Sequence, residues 1–172
     1  MRETHERVIL VDENDREIGS EEKLKTHQQG LLHRAFSIFV LNSKGELLLQ
    51  KRAAGKYHSP GLWGNTCCSH PRPGEDLENA VHRRLQAEMG FDCLLQKDFS
   101  FLYRVELNNG LIEHEVDHVF SGRHDGDPTA NPEEVQDWLW VDLQTLRHQI
   151  AARPQDYAYW LKEALNHPAW KY

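Results

Sequence analysis

Along the chain the spacing of apolar positions switches between a period of two and one near 3.6, with polar, glycine- and proline-bearing turns between the segments. Residues 6–12, ERVILVD, are apolar and β-branched and run into the turn sequence ENDRE, which predicts a first strand and hairpin. AFSIFVLN and ELLLQKR flank the turn NSKG at 42–45 and predict a second hairpin, with Lys51 and Arg52 at its far end. Residues 53–75 carry Gly, Pro, Ser and His with little periodicity and predict a long ordered loop, the kind of segment that serves function in compact domains. In EDLENAVHRRLQAEMG, Leu77, Ala80, Val81 and Leu85 recur at helical spacing, acidic residues open the segment, and Gly90 is placed to end it. FSFLYRVEL and LIEHEVDHVFSGR, separated by NNG, predict a further hairpin. VQDWLWVDL reads as a strand running into a short helix near LQTLRHQI. DYAYWLKEALNH reads as a closing helix, with Asp156 near its start and Pro168 beyond its end. This order predicts one α+β domain over residues 1–172, a mixed sheet covered by helices in an α/β/α sandwich.

Composition narrows the class. A chain of 172 residues with 39% hydrophobic and 27% charged positions supports one substantial core in a soluble protein, and Pro and Gly mark no interdomain linker. No run approaches the roughly eighteen apolar residues of a membrane span, and MRETHERVILVDEN lacks the apolar core of a signal peptide, so no membrane partner and a cytoplasmic location are expected. Three cysteines, two of them the neighbours Cys67 and Cys68, suit reduced thiols better than structural disulfides. A net charge of −7 argues against a nucleic-acid binder working through a broad basic face, yet leaves room for a small phosphorylated molecule.

The residues able to carry chemistry cluster in a few segments. WGNTCCSHPRPGE, residues 63–75, sets Cys68 two residues before His70 in a loop, where a reactive or proton-donating thiol is plausible. Cys93 reads as a small buried hydrophobe, and a zinc-ribbon reading is weak because no second cysteine pair exists. In the strand IEHEVDH, Glu113, Glu115 and Asp117 share one face while Ile112, Val116 and His118 share the other. That acidic face is either the solvated side of an edge strand or an inward surface needing a cation, basic partners or a shared proton. Three imidazoles and two carboxylates would form a nitrogen and oxygen set suited to Mn, Mg, Fe or Zn. Arg84 and Glu88 share a helix face, which by itself is an ion link worth a few tenths of a kcal/mol. Lys23, Arg52, Lys56 and Arg84 come from separate segments, and spacing does not show whether they converge.

Taken together, KLKTH with His33 downstream, QKRAAGKYHSPGLWGNTCCSHP, GEDLENAVHRRLQAEMG, YRVELNNGLIEHEVDHVF and YAYWL resemble the type 1 isopentenyl diphosphate isomerases, a Nudix-like family, from about residue 7 to about residue 165. The Nudix signature counts from Ser69 through Glu75, Arg83, Leu85 and Glu88 to Gly90. Arg84 and Ala87 stand where hydrolysing members carry metal-binding glutamates, a departure that the isomerases share. The resemblance implies a Nudix-like fold and interconversion of isopentenyl and dimethylallyl diphosphate in isoprenoid biosynthesis. Carried over by position, it makes Cys68 and Glu115 the proton-transfer residues. It makes His27, His33, His70, Glu113 and Glu115 the ligands of a divalent metal, Mn2+ or Zn2+, with Glu88 serving a second site for Mg2+. Lys23, Arg52, Lys56 and Arg84 would pair with the diphosphate, and Tyr103 and Trp160 would line the hydrocarbon pocket. The implied partner is a small diphosphate, with the protein a monomer or homodimer. Two other readings are open at this point: a Nudix-type hydrolase of a nucleoside diphosphate derivative, which would release phosphate, and a non-catalytic binding module, which would leave Cys68, Glu115 and the histidines without a common purpose.

Overall fold

The computed structural model describes residues 6–172. Residues 1–5, part of the stretch read for a signal peptide, lie outside the described residues. Among the described residues nine strands form one mixed sheet built around the apolar run HRAFSIFVL, strand β3 (His33–Leu41). Along one edge β3 pairs in parallel with β8 (Ile112–Arg123), from His33 opposite Glu115 to Leu41 opposite Arg123. The other edge is shared in sequence by three partners. β1 (Arg7–Val11), hairpinned to β2 (Glu17–Glu22), meets it at its start, β6 (Cys67–Ser69) in its middle, and β4 (Glu46–Arg52) at its end.

β3 and β4 therefore form the expected hairpin only at Leu41 opposite Leu47 and then diverge. Beyond the fork β4 pairs with β5 (Trp63–Gly64) and with β9 (Val135–Asp142), while β7 (Leu95–Glu106) closes the far side on β8. The expected loop 53–75 thus contains two short strands. Each has too few residues to show a period.

Alternation along β3 and β4 sends side chains to two helical layers. Phe36, Ile38, Val40 and Leu48 pack with Ala80, Val81, Leu85 and Met89 of α2 (Leu77–Met89). Phe39, Leu41, Leu47 and Leu49 pack with Leu146 of α3 (Leu143–Ala152) and with Leu161, Ala164 and Leu165 of α4 (Tyr159–Asn166). The α2 layer was legible from the 3.6 spacing, and the α3 and α4 layer from helix boundary signals. α2 ends at Gly90, whose φ of 73° and close approach to the Thr129 carbonyl, 2.4 Å from where a Cβ would sit, exclude any side chain. One helix escaped the sequence pattern: α1 (Lys23–Gln29), KLKTHQQ, has a single large apolar residue, yet it buries Lys23, Thr26 and His27. Among the described residues no helix is long and apolar enough to cross a membrane.

Candidate active site

The fork between β3 and β4 is filled by side chains. Thr66 accepts a hydrogen bond from the Val40 N–H (2.9 Å) and donates to the Leu48 carbonyl (2.7 Å), so one hydroxyl stands in for the missing strand ladder. Asn65 donates to the carbonyls of Ile38 (3.0 Å) and Cys67 (2.8 Å) and accepts from Trp160 Nε1 (2.9 Å). A cavity of about 300 Å³ opens beside this fork, and Cys68, His70, Arg52, Lys23, Lys56, Arg84, Glu88, Glu113, Glu115 and Trp160 all reach it.

At one end stand three histidines and a carboxylate. Donor atoms of His27, His33, His70 and Glu115 lie within 4.8 Å of one another. Backbone carbonyls set the imidazole tautomers: His27 Nδ1 donates to Lys23 O (2.7 Å) and His33 Nδ1 to Leu31 O (2.9 Å). Each ring thereby turns a lone pair on Nε2 toward the group. His33 Nε2 is 3.2 Å from His70 Nε2, and both converge on Glu115 Oε1, at 3.2 and 3.0 Å, while His27 Nε2 is buried without a partner. So many acceptors at that range repel unless a proton or cation lies between them, and the donor set suits a divalent metal. Burial pushes His27 down to about 4 and His70 to about 3, which keeps both rings neutral and able to ligate.

The acidic face of β8 points inward, so the solvated-edge reading does not hold. Glu113, Glu115 and Asp117 are 2%, 6% and 1% exposed. Tyr103, opposite Glu115 on β7, donates its hydroxyl toward Glu113 Oε2 and Glu115 Oε2, each at 2.8 Å. Tyr103 thus backs the carboxylates, and its ring packs in the same apolar cluster as Trp160 and Cys68. Glu113 stands beside the four-residue group rather than in it, with Oε1 3.7 Å from His58 Nε2. Burial and the neighbouring Glu115 charge raise Glu113. Burial opposes ionisation of Glu115, but the bonds from His33 and His70 prevail and hold it low. Ser37 Oγ donates to Asp117 at 2.7 Å beneath this layer.

Cys68 and Cys67 point to opposite sides of β6. Cys67 is fully buried against α2, whereas Cys68 faces the cavity with Trp160. Burial pushes the Cys68 thiol up to about 12 although Arg52, with Nη1 3.6 Å from the sulfur, opposes it. Arg52 is held from three sides: it donates to His58 Nε2 (3.0 Å), approaches Cys68, and lies 5.4 Å from the Trp160 ring centre. The other basic residues already carry carboxylate partners. Lys23 is 3.9 Å from Glu6, Lys56 pairs with Glu134, and Arg84 bonds Glu88 at 2.5 Å with Glu134 3.6 Å away. Glu88, expected to serve a second cation, gives its oxygens to Arg84 and to Gln50 (2.9 Å).

The structure brings all the candidates of the sequence into one region, but several neighbours were not foreseen. Asn65, Gln50 and His58 lay within a segment that carries the resemblance but had no role assigned to them, and Glu134 lay in an irregular segment. Arg83 was visible only as a signature position, and it grips Glu75 through two bonds of 2.6 and 2.8 Å.

A helix-covered mixed sheet with its polar cleft at the fork defines the class, and residues 31–163 match the NUDIX domain family. A solved structure from Deinococcus radiodurans superposes with a TM-score of 0.71 at 23% identity, covering 86% of this chain and 90% of that one. A MutT NUDIX hydrolase from Burkholderia pseudomallei superposes with a TM-score of 0.63 at 22% identity, covering 80% of this chain and 98% of its own. At such identities the likeness is one of fold. Sequence relatives are far nearer. An isopentenyl-diphosphate Delta-isomerase 2 of Aromatoleum aromaticum is 57% identical over 161 residues, which are 94% of this chain and 85% of that protein. An isopentenyl-diphosphate Delta-isomerase 2 of Photorhabdus laumondii is 58% identical over 159 residues, 92% of this chain and 90% of that protein. The chain belongs to the isopentenyl-diphosphate Delta-isomerase family within the NUDIX fold.

Proposed function

We propose that this protein is an enzyme that interconverts isopentenyl diphosphate and dimethylallyl diphosphate by moving a proton, with Cys68 and Glu115 as the two proton-transfer residues. The carrying observation is that a thiol on β6 and a carboxylate on β8 reach the same cavity beside the buried ring of Trp160.

The chemistry requires one proton to be added to the terminal CH2 of an unactivated alkene and another to be removed from the carbon next to the diphosphate-bearing one. A tertiary carbocation lies between the two steps. Cys68 and Glu115, arriving from different strands, are suited to serve the two ends of a planar five-carbon skeleton. The face of Trp160 attracts a cation by about 1–2 kcal/mol in a dry site. With 3% of its surface exposed, the ring also helps keep water from the cation. His27, His33, His70 and Glu115 would hold a divalent metal, Mn2+ or Zn2+ by ligand type, with Glu113 beside them. When bound, that metal neutralises the cluster and fixes the Glu115 carboxylate. Glu88 is the residue that would meet Mg2+ accompanying the diphosphate, and Lys23, Arg52, Lys56 and Arg84 supply its positive surroundings. In this reading the enzyme works in the cytoplasm, as a monomer or homodimer, on a small diphosphate partner.

Hydrolysis finds less support. Arg84 sits on Glu88 where a hydrolase would carry a further carboxylate, and Ala87 offers no ligand. Incubation with isopentenyl diphosphate and Mg2+ in deuterated water tests the proposal. Deuterium in the dimethylallyl product without phosphate release is the expected result. Phosphate release without label would overturn it.

A further inference from the structure

Two of the cations at the cavity share one carboxylate. Glu134, on the link before β9, pairs with Lys56 and places Oε1 3.6 Å from Arg84. The three side chains are only 18%, 9% and 15% exposed, respectively, so solvent screens the group weakly. The main chain beneath Glu134 is tied to both elements that present those cations. Asn131 N–H donates to Glu88 O at the end of α2 (2.8 Å), Glu134 N–H donates to Asn131 O (3.0 Å), and Ala53 N–H after β4 donates to Glu134 O (3.0 Å). With the backbone fixed, the carboxylate leaves Lys56 and Arg84 only by rotating its own side chain.

Glu88, the other partner of Arg84, is a poor candidate for exchange. It is 4% exposed and also bonded to Gln50. Glu134 lines the cavity as Glu88 does, but its side chain is 18% exposed, so its carboxylate is the more accessible of the two to an incoming anion. Its two oxygens bridge an ammonium and a guanidinium, which matches in charge and reach what two oxygens of a phosphoryl group would do there.

We propose that Glu134 is a resident counterion of the anion site: it holds Lys56 and Arg84 together in the free enzyme and gives way to a phosphoryl group, thereby setting the affinity for polyanions. The proposal rests on reading the cavity as a diphosphate site. Its physical content is a competition, in which each bound diphosphate displaces one intramolecular carboxylate from two cations. Removing the carboxylate's charge while keeping its shape relieves that competition and strengthens anion binding.

The test is calorimetric titration of the metal-loaded full chain with inorganic pyrophosphate, without and then with added Mg2+. Without added Mg2+, Glu134→Gln binds pyrophosphate about tenfold more tightly than wild type. Glu134→Ala shifts in the same direction, which guards against a fault peculiar to one variant. Glu133→Gln removes the same charge from the exposed neighbouring position on the rim and changes affinity less than about threefold, as a screened surface charge does. Unchanged or weaker binding by Glu134→Gln, or an equal gain in Glu133→Gln, overturns the proposal. So does a loss confined to the titration with Mg2+, which would make Glu134 a cation ligand. Wild-type turnover of isopentenyl diphosphate with no tightening in Glu134→Gln refutes the counterion role alone. Absence of pyrophosphate binding in wild type refutes the diphosphate reading and the counterion role together.

Discussion

Trp160 Nε1 donates to Asn65 Oδ1 at 2.9 Å, which ties the helix bearing the cavity's aromatic wall to the link that leads into the cysteine strand. The same Asn65 amide donates to the carbonyls of Ile38 and Cys67, so one side chain sets the distance between Trp160 and the Cys68 backbone. Asn65→Leu keeps the volume and strands these buried polar groups, a loss of about 2–4 kcal/mol. The unfolding midpoint should fall by roughly 5–10 °C for a chain of this size, as read by calorimetry. Turnover should fall as well, because Trp160 is no longer anchored. A variant with wild-type stability would show that the fork is held by Thr66 alone.

The two adjacent cysteines should separate cleanly in an activity assay. Cys68→Ala and Glu115→Gln should each lower turnover by about 10²–10⁴-fold or more, the range for losing a proton-transfer group. Cys67 is fully buried against α2 and faces away from the cavity, so Cys67→Ala should cost stability on the order of 1 kcal/mol while turnover persists. Similar activity in all three variants would remove Cys68 and Glu115 from the chemistry.

The histidine cluster makes a prediction that needs no substrate. Purified protein should contain about one divalent ion per chain by elemental analysis, and His33→Ala or His70→Ala should weaken its retention by at least about 10–100-fold. Chelation should lower the unfolding midpoint of wild type, since an ion bound only by the native state stabilises it by mass action. A midpoint indifferent to chelator, in protein shown to have lost its metal, would mean that the acceptors at 3.0–3.2 Å are satisfied by a shared proton instead.

Much of this arrangement could be read before the structure, and the remainder could not, for physical reasons. The helix 77–89 and the 99–123 part of the hairpin were legible because period and turn chemistry are local properties, whereas the first four residues of β7, Leu95 to Asp98, were not assigned to it. The inward turn of Glu113, Glu115 and Asp117 was not. Alternation puts them on one face but does not say which face is buried, and burial depends on the parallel pairing of β8 with β3 some eighty residues earlier. His27 illustrates the same limit. It lies in a polar heptapeptide, where only the family resemblance marked it as a ligand, and its approach to within 5.0 Å of the His33 ring and 5.8 Å of the His70 ring comes from the placement of α1. The family resemblance supplied the roles of Cys68 and Glu115, whereas the partners that hold them, Tyr103 behind Glu115 and Arg52 beside Cys68, came from tertiary geometry.

The Glu75–Arg83 ion pair ties the loop that carries His70 to α2, and its strength depends on pH. Arg83, mid-way along α2, donates Nε and Nη2 to the two oxygens of Glu75, and the Arg72 N–H donates to the second oxygen as well. The bond from Arg83 chiefly, with the Arg72 amide, lowers Glu75 below the usual carboxylate value of 4.5 against a smaller opposing effect of burial. A carboxylate depressed in the folded state contributes stability above its unfolded value and loses it as pH falls through the lower folded value. Glu75→Gln should therefore unfold a few °C below wild type near neutral pH, since a partly exposed pair is worth about 1 kcal/mol or less after solvent screening. The gap between the two midpoints should hold down to about pH 4.5 and close in more acidic buffer, as followed by calorimetry over a series of pH values. A gap of constant size down to strongly acidic pH would show that Glu75 anchors the loop through its shape and neutral hydrogen bonds, and that its charge contributes nothing to holding His70 in place.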